Sequence, residues 1–154
     1  MITLQGEHIC RVDAKGRFML PAALKSQLTA VLGEGFMVKR SIFESCLELY
    51  PKSNWDDLIG KINRKINRFK REDMAFLRAY NAGLQLLEID NAGRILIPRD
   101  LVLFAGITAD IVVVAKLDCI EIWDKVKYDG VISATQSNMS GLAENVLGNI
   151  NLNE

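Results

Sequence analysis

Apolar and polar positions alternate in short bursts along this chain, and the bursts come in two matching sets. GFMVKR, CLELYPK, DIVVVAKL and CIEIWDK have strand periodicity. In CLELY and CIEIW aliphatic residues fall on every second position, while the unbroken IVVVA predicts a strand buried on both faces. EHICRVD, LQLLEID, RFML and RILI are four further short strand candidates. PAALKSQLTAVL and PRDLVLFAG each open on proline, whose fixed φ suits a first helical turn, and predict short helices stopped by Gly33 and Gly106. Between the sets, Trp55, Ile59, Ile62, Ile66 and Phe69 recur at helical spacing and mark one face of a helix. Ser53, with Asp56 and Asp57, predicts its start. Met74, Leu77 and Tyr80 predict a second helix ending at Asn81–Gly83, with the break near Phe69–Asp73. Beyond about Tyr128 the pattern fades. A short helix over Gly141–Leu147 is expected there, in a tail otherwise partly disordered.

The two sets are a duplication. VDAKGRFMLPAAL, beginning at Val12, returns as IDNAGRILIPRDL, beginning at Ile89. Asp13, Gly16, Arg17, Pro21 and Leu24 align with Asp90, Gly93, Arg94, Pro98 and Leu101. Cys46, Glu48, Tyr50 and Lys52 align with Cys119, Glu121, Trp123 and Lys125. The chain therefore divides into a first repeat (5–52), linking helices (53–83), a second repeat (84–127) and a tail (128–154). Strands this short cannot bury a full core within one copy. Both copies are expected to pair strands with each other in one α+β fold, mainly β: a barrel about a pseudo-twofold axis, closed so that no long edge is left exposed, with helices outside.

Composition narrows the function. With 154 residues, 49% of them hydrophobic, the chain has enough for a single core. No apolar run approaches a membrane span, and MITLQGEHICRVD has no export signature, so a cytoplasmic protein without membrane contact is expected. Three scattered cysteines (Cys10, Cys46, Cys119) and a lone histidine (His8) argue against a disulfide framework, a metal site and histidine-based catalysis. There is no P-loop or dinucleotide fingerprint. The reading is a non-enzyme with no cofactor. Net charge is zero, yet residues 1–77 hold 13 basic and 9 acidic residues (net +4), and residues 78–154 hold 6 and 10 (net −4). Such asymmetry places a basic face on a neutral protein.

The repeated loop carries the candidate chemistry. Gly16 and Gly93 permit a tight turn with positive φ, and Asp13 and Asp90 accept backbone N–H groups just ahead. Neither role needs Arg17 or Arg94. One reading is an Asp–Arg ion pair, a weak reason at a surface, on the order of 0–1 kcal/mol. The other is a guanidinium held rigidly for phosphate or guanine. Lys15 and Arg11 add positive charge to the first loop. Ala92 and Glu88 take those places in the second, which makes it the weaker candidate. KINRKINRFKR, from Lys61 to Arg71, has six basic residues and no acid; it reads as the solvated face of the linking helix.

VDAKGRFMLPAAL, CLELYPKSNW, FLRAYNAG, IDNAGRILIPRDL and CIEIWDK, in that order, resemble the MraZ family of bacterial transcriptional regulators over roughly residues 5–127. The resemblance implies a double-copy swapped-hairpin barrel of the AbrB kind. It further implies assembly into a closed homo-oligomeric ring and sequence-specific binding of double-stranded DNA at short direct repeats upstream of the division and cell-wall genes. Repression of the protein's own operon and a nucleoid-associated location follow. The DNA-contacting loop maps onto Asp13, Lys15, Gly16 and Arg17, with Arg11 beside it and Arg94 as the second-copy equivalent. AbrB-type barrels also serve as antitoxins, so a protein-binding ring scaffold is the alternative.

Overall fold

The computed structural model describes all residues, Met1–Glu154. The first repeat contributes β1 (Glu7–Arg11), β2 (Arg17–Met19), α1 (Ala22–Gln27), β3 (Phe36–Arg40) and β4 (Leu47–Pro51). α2 (Lys52–Lys65) and α3 (Arg71–Tyr80) link it to β5 (Gln85–Leu87), β6 (Arg94–Leu96), α4 (Arg99–Ala105), β7 (Asp110–Lys116) and β8 (Cys119–Asp124). α5 (Lys125–Gln136) and α6 (Met139–Leu147) follow.

Pairing is swapped between the repeats. A six-stranded antiparallel sheet runs β1-β7-β8-β4-β3-β5, and β2 pairs only with β6. Exchanging each strand for its counterpart in the other repeat reproduces this order in reverse, so a pseudo-twofold axis passes through the β4–β8 seam and the β2–β6 ribbon. The ladder does not run continuously around a barrel: β1 and β5 are edges, and the ribbon closes over the sheet by side-chain packing. Phe18 and Ile95 of the ribbon, Leu24 and Leu101 of α1 and α4, and Val38, Leu49, Val113 and Ile122 of the sheet meet in a single buried cluster. Neither repeat owns this core. Alternation along each strand explains it, since every second side chain points inward.

On the other face of the sheet, Glu48 stands opposite Glu121 at the seam. Two acids facing each other repel, and basic neighbours resolve it. Lys116 Nζ lies 3.2 Å from Glu48 and 2.8 Å from Glu121, and the fully buried Lys39 Nζ lies 3.5 Å from Glu48. Burial lowers the Lys39 pKa, against the pull of Glu48. Tyr50, Trp55 and Tyr80 seat α2 and α3 on this face, and Trp123 with Tyr128 and Val131 seats α5. All three cysteines are free thiols, and burial pushes Cys46 and Cys119 up to about 12.

Several expectations change. α1 stops at Gln27, so Gly33 ends no helix; it sits in a short 3₁₀ turn (Leu32–Glu34), and Gly35, with φ 82°, makes the turn into β3. Gly106 is the left-handed cap of α4, as its position predicted. Ser53 lies inside α2, which begins after Pro51 with no side-chain cap. Ile66 and Phe69 leave the helical face because α2 ends at Lys65; Phe69 is 91% exposed. Past Tyr128 the chain forms the rest of α5, to Gln136, and after a turn α6 from Met139, which contains the expected Gly141–Leu147 helix. α5 is the second repeat's counterpart of α2. Both start directly after the last strand and carry matching pairs, Lys52–Asp56 and Lys125–Asp129.

Candidate nucleic-acid interface

Each loop is built around one carboxylate. Asp13 Oδ1 accepts the N–H groups of Lys15 at 2.9 Å and Arg17 at 3.0 Å, and Oδ2 accepts Arg17 Nε at 2.8 Å. The backbone closes the turn: Asp13 N–H donates to Arg17 O at 2.9 Å, and Gly16 N–H to Asp13 O at 3.0 Å. The second loop repeats every bond. Asp90 accepts Ala92 N–H at 2.9 Å, Arg94 N–H at 2.8 Å and Arg94 Nε at 2.9 Å. Gly16 and Gly93 sit at φ 91° and 84°, where an L side chain is strained. The Arg17 and Arg94 backbone N–H groups, with burial opposing and the guanidinium adding to them, hold the Asp13 and Asp90 carboxyls below the usual range.

The two readings of the arginine therefore coexist. The Asp–Arg pair forms in both loops, but it uses only Nε. Both Nη nitrogens of Arg17 and of Arg94 have no partner in the chain. The side chains are 29% and 36% exposed, and neither is sealed. An aspartate that fixes Nε and leaves the fork free is a rigid mount for a planar donor.

The ribbon places the two mounts together. Arg17 is registered with Leu96, Phe18 with Ile95 and Met19 with Arg94. Phe18 and Ile95 point into the core, so Arg17, Met19, Arg94 and Leu96 share the outer face. Strand geometry puts the Arg17 and Arg94 Cα atoms roughly 8 Å apart on a diagonal. Met19 and Leu96, about half exposed, fill the other corners.

A cation that the sequence reading missed stands beside the second loop. A Cβ built on Gly93 would lie 3.6 Å from Lys25 Nζ and 3.3 Å from Met19 Sδ. The same construction on Gly16 meets Ile97 O at 3.0 Å and Val102 Cγ2 at 3.9 Å. Lys25 thus occupies, at the second loop, the place of Val102 at the first. The first loop carries its lysine internally, as Lys15, and Arg99 of α4 lines the concavity behind it. The lysine lacking at Ala92 is supplied by α1 of the other repeat. Arg11 is exposed at the end of β1, opposite Asp110 in the ladder, and makes no bond to the loop. The six cations from Lys61 to Arg71 are exposed and unpaired, but α2 and α3 pack on the opposite face of the sheet from the ribbon. They do not join the loop surface.

The model of the family described as "MraZ protein, putative antitoxin-like" matches residues 3–79 and 82–149, both halves of the chain. A relative from Flavobacterium psychrophilum, named Transcriptional regulator MraZ, is 48% identical over 154 residues, covering 100% of this chain and 98% of its own. One of the same name from Christiangramia forsetii is 46% identical over 149 residues, 97% and 96% of the two chains. Another from Cytophaga hutchinsonii is 36% identical over 142 residues, 92% and 93%. With the doubled loop, the swapped pairing and full-length matches in agreement, the chain belongs to the MraZ family.

Proposed function

We propose that this protein is a DNA-binding transcriptional regulator that contacts duplex DNA through the outer face of the β2–β6 ribbon. The observation that carries the reading is the pair of aspartate-mounted arginines, each with a free guanidinium fork, on one exposed face. Arg17 and Arg94 supply forks suited to phosphate or to guanine O6/N7. Asp13 and Gly16 shape the first loop, and Lys15 and Lys25 add one phosphate-directed cation to each loop. Arg11 contributes at most to the surrounding field, offset by Asp110.

One chain offers few contacts, so several must act together. Assembly into a closed homo-oligomeric ring repeats the ribbon at regular intervals, suiting direct repeats one DNA turn, roughly 10 bp, apart. Simultaneous engagement raises affinity through effective concentration. Exposed Leu117 and Val126, and an α6 with no buried residue, support assembly. The targets are direct repeats upstream of the division and cell-wall genes, and the outcome is repression of the protein's own operon by a cytoplasmic, nucleoid-associated protein. A gel-shift series with the protein's own upstream fragment and a scrambled-repeat control tests this. Retardation of the native fragment alone is expected; equal retardation of both would contradict it. The family's antitoxin-like description favours a second reading, a ring that binds a protein partner. That reading gains if the purified protein fails to shift its upstream fragment until a partner is added.

A further inference from the structure

Between the β3–β4 turn, the end of α3 and α4, the surface opens into a cleft of about 470 Å³. This lies in the range of small-molecule sites, roughly 300–1,000 Å³. Ile42, Phe76, Tyr80 and Phe104 form apolar walls, and Arg40 is the only charged residue of the lining. Its guanidinium carbon lies 5.0 Å from the centre of the Phe104 ring. Its Nε is buried and has no acceptor, and no carboxylate pairs with it. A buried donor without an acceptor is costly. This Nε lies against Gly83, so the Nη nitrogens of the same guanidinium, which also have no partner in the chain, are the donors left for an occupant of the cleft.

The fold does not require this cation. Arg40 is registered with Leu47, and the matching position of the other repeat, registered with Ile120, is Ala115. The sheet tolerates alanine there. Space for the guanidinium is made locally by Gly83, at φ 78°, where a Cβ would come within 3.3 Å of Arg40 Nε. One unpaired monovalent cation among aromatic walls matches a singly charged acid with an apolar body.

We propose that this cleft binds an amphipathic monocarboxylate, its carboxylate accepting from Arg40 and its apolar body lying against Phe76, Phe104 and Ile42. A phosphate ester would bring more charge than the lining neutralises. The site is independent of the DNA reading but physically next to it. Phe104 lies on α4, and Val102 and Leu103 of that helix line the concavity behind the first loop. An occupant of the cleft therefore touches the helix that backs Arg17.

The test uses the full chain and 4-phenylbutyrate, followed by calorimetry and by amide chemical shifts. Saturable binding with shifts at Ser41, Phe76, Ala82 and Phe104 is expected. 4-Phenylbutanol, which lacks the charge, should bind at least about tenfold more weakly to the same protein. Arg40→Gln should lower affinity for the acid by a similar factor, and Ala79→Trp should fill the cleft and abolish binding. Equal affinity for the acid and the alcohol would overturn the proposal without any variant. So would unchanged binding to Arg40→Gln, or no saturable signal at about 10 mM probe. If shifts at the cleft appear only on self-association and never with the probe, its occupant is a second copy of the chain, and the proposal also fails.

Discussion

The loop at Asp13 and the loop at Asp90 share all five hydrogen bonds, with no corresponding length differing by more than 0.2 Å. They differ in where the neighbouring lysine comes from and in what stands behind the glycine. The first loop has Lys15 in its own sequence and the Ile97 carbonyl at its back. The second has Ala92, borrows Lys25 from the other repeat, and is backed by flexible side chains. A duplicated motif thus keeps the part that aims the arginine and varies the part that surrounds it. Aiming needs a fixed geometry, whereas a supporting charge acts at a distance and can come from any nearby element.

The largest effect should come from removing the shared part. Arg17→Ala is expected to lower affinity for the operator by about 10- to 100-fold, Arg94→Ala by about tenfold or less, and the pair together by more than either. Gel shifts on the same fragment measure all three, and an unchanged affinity for Arg17→Ala would break the assignment. Next, the backing of each glycine separates the loops. Gly16→Ala meets a backbone carbonyl and should cost about 2–3 kcal/mol of stability. Gly93→Ala meets the movable ends of Met19 and Lys25 and should cost about 1–2 kcal/mol. Denaturant unfolding decides, and equal costs would mean that the loops are backed alike.

Smaller effects follow from the lysines. Lys15→Ala and Lys25→Ala should each weaken binding modestly and lower the slope of log affinity against log salt by about one. A Lys25→Ala protein with an unchanged slope would show that the second loop is not supported from α1. The smallest effect is on pH. Asp13 and Asp90 have depressed pKa values when folded, so their stabilising contribution is whole above the usual aspartate range and is lost as pH falls through the lowered folded values. The stability gap between the wild type and Asp13→Asn/Asp90→Asn should stay constant from pH 8 to about 5 and shrink below roughly pH 4.

Much of this was legible in the sequence because the motif occurs twice. The Asp-x-x-Gly-Arg spacing gave both turns, and strands too short for a private core implied pairing between copies. Residues that act across the swap were hidden. Lys25 looks like an ordinary helix lysine until α1 is seen to end beside the other repeat's loop. The helix α5 is hard to read from sequence although Lys125, Tyr128 and Asp129 repeat Lys52, Trp55 and Asp56, because polar residues beyond them mask the amphipathic pattern. Gly33 marks no helix stop because α1 ends at Gln27, before its apolar residues run out, and the turn into β3 falls at Gly35. Arg40 looks like any cation at a strand end; only its buried Nε without an acceptor sets it apart.

If aspartate serves DNA binding by aiming the arginine, Asp13→Asn isolates that role. Asparagine keeps an oxygen for the Lys15 and Arg17 N–H groups but cannot pair with Nε, so the turn survives while the fork is released. The measurement is operator affinity at fixed salt. Aiming predicts a weaker complex even though an acidic charge has been removed next to DNA; a complex of equal or greater strength would contradict it.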